Sequence, residues 1–121
     1  MYLHKHVGGF KYAWKGIKIS WKEEANFRFQ TVCAGIVIIA AWLVGLSRIE
    51  WLILLLTMGS VLSAELINTS LEELCDMYRT EHDPHIEKIK DVAAGAVFLT
   101  SLVSVLVGAF IFLPRIWTLF G

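Results

Sequence analysis

The sequence predicts an all-α integral membrane protein: three transmembrane helices preceded by an amphipathic helix lying in the membrane interface. Three observations carry this. Of the 121 residues, 56% are hydrophobic and the mean hydropathy is +0.60, too apolar for a soluble domain of this length. Uncharged apolar runs occupy Phe29–Leu46, Trp51–Ala64 and Val92–Leu113. Lysines recur at helical spacing ahead of the first of them. The length allows one domain, 1–121, with the surface helix at about 10–28 and spans at about 29–46, 51–77 and 92–113.

Composition also excludes. The formal net charge is zero, which gives no pointer to a nucleic acid. The two cysteines, Cys33 in an apolar run and Cys75 on a polar helix end, are read as free thiols rather than a disulfide. The first long apolar run begins only after Arg28, so no cleavable leader is expected.

The elements follow in order. Residues 1–9 are short and polar; His4 and His6 are given no role. Between Phe10 and Arg28, Phe10, Trp14, Ile17 and Trp21 recur on one helical face and Lys11, Lys15, Lys18 and Lys22 on another. Lysines opposite tryptophans mark a helix in the membrane interface. Glu23 and Glu24 close it. Ser47–Glu50 is a tight connection, and Trp51 opens the second span as an interfacial aromatic. Tyr78–Lys90 reads as a polar loop; its His82, Asp83 and His85 are a weak zinc pattern, and a solvated turn is preferred. Small residues, Ala93 to Ala96, open the third run and permit close helix approach. Pro114 and Arg115 end it.

Basic residues orient the chain. Lys5, Lys11, Lys15, Lys18, Lys22, Arg28, Arg79, Lys88 and Lys90 fall on one side of the three-span arrangement, with Arg48 and Arg115 on the other. The positive-inside rule puts the N-terminus and the 78–90 segment in the cytoplasm.

The functional signal lies in S-A-E-L-I-N-T-S-L-E-E-L-C-D, Ser63 to Asp76, which continues the second apolar run without a proline. On one helix Glu72 lies about 20° from Glu65, Asn68 about 60°, and Asp76 about 20° to the other side. Four polar groups make one stripe on an oily helix. An ionisable group near membrane depth is a functional-site hypothesis by default.

Glu24, Glu72, Asp76, Lys90 and Asp91 converge at the cytoplasmic face. Carboxylates with a lysine suit a magnesium–nucleotide site, because magnesium takes one or two carboxylates plus phosphate oxygens. Glu24 and Glu72 supply that pair and Lys90 offsets phosphate charge. Glu65, deeper, is placed to take a proton from an alcohol whose tail lies in lipid. Asn68 orients the hydroxyl or holds Glu65. Gly8-Gly9 is no Walker loop. The residues alone leave open a small proton-coupled transporter or accessory protein using Glu65 as an intramembrane proton site.

The chain resembles the small bacterial diacylglycerol kinase family, which includes the undecaprenol kinases. The matching pieces are Y-A-W-K-G (Tyr12 to Gly16), E-A-N-F-R (Glu24 to Arg28), A-E-L-I-N-T-S-L-E (Ala64 to Glu72) and K-D-V-A-A-G-A-V (Lys90 to Val97). The resemblance implies a homotrimeric lipid kinase of the bacterial inner membrane. It would transfer the γ-phosphate of MgATP to undecaprenol or diacylglycerol at sites shared between subunits. It implies Glu65 and Asn68 as catalytic, with Glu24 and Glu72 holding Mg2+. Tyr12, Glu24, Glu72, Asp76, Lys90 and Asp91 would be the nucleotide-binding positions, and Trp14 and Glu65 would meet the lipid. Glu81-His82-Asp83 departs from the Glu-Tyr-His of many relatives. W-L-V-G-L-S-R-I-E-W-L and L-P-R-I-W lean toward the undecaprenol branch.

Overall fold

The computed structural model describes residues 5–78 and 83–121. His4, Arg79, Glu81 and His82 lie outside the described residues. The described chain is four helices: α1 (Lys5–Glu23), α2 (Ala25–Val44), α3 (Arg48–Tyr78) and α4 (Pro84–Phe120). The last three are each long and apolar enough to cross a membrane, and the protein is a membrane protein.

The α1–α2 junction breaks the single surface helix expected over Phe10–Arg28. Glu24 takes extended backbone (φ −113°, ψ 109°), so α1 ends at Glu23 and α2 starts at Ala25. The break is held from both sides. Glu24 N–H donates to the Ser20 carbonyl at 2.9 Å and Arg28 N–H to the Glu24 carbonyl at 3.1 Å. Arg28 Nη1 also donates to the carbonyls of Trp21 (2.8 Å) and Lys22 (3.0 Å). Those are last-turn carbonyls that a helix end otherwise leaves to water.

α2 ends at Gly45, whose left-handed backbone (φ 73°, ψ 75°) donates its N–H to the Ala41 carbonyl; residues with a Cβ are strained there. α3 follows at once. Ser47 N–H donates to Glu50 Oε1 (2.9 Å) and Glu50 N–H to Ser47 Oγ (3.2 Å). S-x-x-E is thus a capping box that starts α3. α3 carries the apolar run and the polar stripe on one unbroken helix, as its lack of proline predicts.

α4 departs from expectation at both ends. It starts at Pro84, inside the expected 78–90 loop: Asp83 accepts from His85 N–H (2.8 Å) and Ile86 N–H (3.4 Å) and proline takes the first helical turn, where its missing N–H costs nothing. It also runs through Pro114 to Phe120. Proline removes one backbone bond there, but Arg115 anchors the segment. Its guanidinium grips Glu50 with two bonds, Nη1 to Oε2 (2.8 Å) and Nη2 to Oε1 (2.7 Å), and Nη1 also donates to the Ile111 carbonyl.

The firmest packing sits beside that ion pair. Ala41, Leu54 and Ile111 form the buried core, backed by Val37, Trp51, Met58 and Phe112. α3 and α4 share the most extensive helix contact. Glu24, Glu65, Glu72 and Asp76 lie toward the other end of the bundle.

Candidate functional site

Helix lengths set the depth of the stripe. At about 1.5 Å per residue, α2 is roughly 30 Å long, the thickness of the hydrocarbon core. α3 starts at the far face, three residues after Gly45. Counted from Arg48, a hydrocarbon thickness of about 30 Å would end near Asn68, which would set Glu65 about 5 Å short of that level and Glu72 and Asp76 beyond it. Glu24, at the start of α2, is level with that boundary.

Glu65 is buried, at 5% exposure, among the inward residues of α3 that include Leu54, Val61 and Cys75. Glu72 and Glu24 are the two like charges that act on it. One carboxylate from α3 and one from the α1–α2 junction therefore act on Glu65. Asn68 stands between: its Nδ2 donates to Glu72 Oε1 at 3.0 Å, so the side chain holds Glu72 rather than Glu65. Its Oδ1 is buried with no protein partner. Among the described residues no three His, Cys, Asp or Glu side chains close on a single metal position, which leaves any cation to a carboxylate pair and a ligand's own oxygens.

Asp76 and Lys90 join the end of α3 to the start of α4 by an ion pair at 2.7 Å. Asp91, with Glu87 and Lys88, borders a shallow pocket of about 380 Å3 at the α4 N-terminus. Cys33 and Cys75 are both free. Tyr12 is exposed and stands apart, twelve residues or about 18 Å along α1 from Glu24. Trp14 is with Trp21 and Lys22 on the wall of a larger groove, about 640 Å3, between α1 and the Gly59–Leu66 segment of α3.

Three contributions lie beyond the expectations drawn from the sequence. The clasp of Arg28 on α1 had no signal. The Ser47–Glu50 box was readable as S-x-x-E, and the Arg115–Glu50 pair only as two opposite charges at the ends of apolar runs.

The prokaryotic diacylglycerol kinase family model matches residues 11–112. Undecaprenol kinase of Bacillus subtilis (strain 168) is 39% identical over 114 residues, covering 94% of this chain and 93% of that protein. Diacylglycerol kinase of Synechocystis sp. is 39% identical over 111 residues, 91% of this chain and 63% of that protein. Diacylglycerol kinase of Escherichia coli (strain K12) is 29% identical over 111 residues, 91% of this chain and 87% of that protein. The chain belongs to the prokaryotic diacylglycerol kinase family. Its activity is that of a lipid kinase with ATP as phosphate donor, and the transporter alternative is not favoured.

Proposed function

We propose that the chain phosphorylates the hydroxyl of a membrane lipid alcohol, undecaprenol or diacylglycerol, from MgATP at the cytoplasmic face of the bacterial inner membrane. One observation carries the reading: Glu65 is a buried carboxylate on the same face as Glu72, on a helix long and apolar enough to cross a membrane. That arrangement puts an acceptor for a lipid hydroxyl's proton next to groups suited to a nucleotide's metal.

The donor set fits magnesium, which prefers hard oxygen ligands and retains waters. Glu24 and Glu72 would hold it, and the unpartnered Asn68 Oδ1 would accept from the acceptor hydroxyl. When bound, magnesium offsets charge on the β- and γ-phosphates. Asn68 fixes Glu72 through its Nδ2. Asp76 holds Lys90 at the phosphate level, Asp91 lies one residue further along α4, and Tyr12 serves the far end of the nucleotide. The acceptor oxygen bonds to the γ-phosphorus as the bond to the β–γ bridging oxygen breaks. ADP leaves, and the hydroxyl proton passes to Glu65. Asn68 orients that hydroxyl and Trp14 meets the lipid along α1.

The inward orientation rests on the basic residues gathered at the α1 and α4 starts. α1 acts as an interfacial helix, with Trp14 and Trp21 toward lipid and its lysines toward headgroups. A homotrimer with shared sites belongs to the same reading, and the small residues Ala93 to Ala96 of α4 permit the close helix approach it needs.

The test is transfer of ³²P from γ-labelled MgATP in mixed micelles, with undecaprenol and diacylglycerol assayed side by side. Labelled lipid is expected from at least one. Folded protein that labels neither would refute the proposal.

A further inference from the structure

We propose that Arg28 is a positioning residue for the metal. Reaching from the first turn of α2 back to the end of α1, it locks the one-residue joint between the two helices and so fixes where the Glu24 carboxylate stands. The inference rests on the kinase reading above, with Glu24 as a magnesium holder.

The joint needs a lock. α1 ends at Glu23 and α2 begins at Ala25, so the direction of one helix relative to the other turns on the two backbone dihedrals of Glu24. They lie at φ −113° and ψ 109°, in the broad extended region that every residue can enter. Neither a proline nor a left-handed residue restricts the turn. A modest rotation at either dihedral would swing α1 and re-aim the Glu24 side chain.

Glu24 does nothing itself to hold the joint. It occupies the N-cap of α2, where Ser, Thr, Asp or Asn normally accepts from first-turn amides. Its carboxylate makes no such bond, yet it stands close enough to act on Glu65 in α3. A residue that breaks the local rule where a charge is wanted is placed there for its charge.

Arg28 supplies the lock. Its N–H donates to the Glu24 carbonyl at 3.1 Å. Its side chain doubles back, and Nη1 donates to the carbonyls of Trp21 at 2.8 Å and Lys22 at 3.0 Å. The Glu24 N–H meanwhile donates to the Ser20 carbonyl at 2.9 Å. The peptide groups flanking the Glu24 Cα are therefore tied one to α1 and one to α2, and the Arg28 side chain closes the two ties into a ring. Arg28 makes no ion pair with Glu24 among the described residues, so its part is geometric. A site assembled in only a fraction of molecules binds its ligand more weakly by that fraction. Loosening the joint should thus weaken the metal without slowing the loaded enzyme.

The experiment measures the free magnesium needed for half-maximal ³²P transfer, in mixed micelles at saturating lipid and ATP. Arg28→Met keeps the aliphatic stem and removes both donated bonds. It is expected to raise that midpoint about fivefold, with kcat at saturating magnesium within twofold of wild type. Arg28→Lys should stay within twofold, because one nitrogen serves both carbonyls and an ammonium can replace it. In a Glu24→Gln background Arg28→Met should add no further shift, since the carboxylate it places is gone. A merely structural role predicts the reverse, with the two effects multiplying. An unchanged midpoint in Arg28→Met, or multiplying effects in the double variant, would overturn the proposal. Wild-type protein that labels no lipid would instead overturn the kinase reading, and an unshifted midpoint in Glu24→Gln the assignment of Glu24 to the metal.

A second readout needs no turnover. Mn2+ stands in for magnesium, and its binding with a non-hydrolysable ATP analogue is followed by electron paramagnetic resonance, the analogue alone serving as blank. The dissociation constant should rise about fivefold in Arg28→Met. Ala25→Gly frees the same joint with Arg28 in place, and the methyl it removes is exposed; it should weaken Mn2+ at least twofold. Equal affinity in Ala25→Gly and wild type would overturn the proposal even if Arg28→Met failed to fold.

Discussion

Glu65→Gln is the sharpest perturbation of the site, because it keeps shape and removes only charge and basicity. General-base catalysis is typically worth 10²- to 10⁴-fold, or roughly 2.7 to 5.4 kcal/mol of barrier at about 1.36 kcal/mol per factor of ten. kcat should fall by that range. Glu65 is 5% exposed and is repelled by Glu72 and Glu24, so an amide there removes a desolvated charge and two unfavourable pairs. The folded protein should therefore lose no stability, and the KM for MgATP should stay level or fall. The assay is steady-state ³²P transfer at saturating lipid, paired with thermal inactivation of nucleotide binding in detergent. A residue needed only for packing would show the opposite pairing, with activity and heat resistance lost together. kcat within tenfold of wild type would remove Glu65 from the base role.

Three further outcomes test the surroundings. Glu24→Gln and Glu72→Gln should each raise the free magnesium needed for half-maximal rate at least tenfold; overlapping titration curves would exclude them as metal holders. Arg28→Ala removes two charged hydrogen bonds from the end of α1, about 1 kcal/mol after allowing for their exposure. Tryptic cleavage after Lys22 should speed up about fivefold in consequence; cleavage at the wild-type rate would show that water caps those carbonyls equally well. Glu50→Ala should lower the thermal inactivation temperature more than Arg115→Ala, because Glu50 serves both the ion pair and the Ser47 box. Equal shifts would show that the box is worth no more than the bond Arg115 gives the Ile111 carbonyl.

What the sequence made legible was whatever one helix contains by itself. α3 has no proline, and its apolar run and polar stripe do share one helix, so the alignment of Glu65, Asn68, Glu72 and Asp76 could be read from spacing alone. The ends of α4 could not. Asp83-Pro84 reads equally as a turn or as a helix start, and the hydrogen bonds from Asp83 to two amides decide for the latter. Pro114 reads as a stop, yet the helix passes it because Arg115 is fastened to Glu50, a residue sixty-five positions away. Local rules fail there for a physical reason: one lost backbone bond is outweighed by a tertiary anchor that no window of sequence contains.

The same reasoning explains why the apolar space lined by Ala34, Val61 and Gly108 escaped the sequence while the carboxylates did not. Periodicity gives the faces of a helix but not which faces meet. Gly108 and Ala34 are ordinary small residues in apolar runs, and only their meeting across from Val61 leaves a space. That space lies between a packed end, held by Ala41, Leu54, Ile111 and the Glu50–Arg115 pair, and the polar end that carries Glu65, Asn68 and Glu72. Filling the middle with larger side chains would extend the core up to Glu65. A Cβ at Gly108 meets nothing within 4 Å, so Gly108→Leu is expected to raise the thermal inactivation temperature; an unchanged or lower temperature would show that a side chain at 108 does not fill that space.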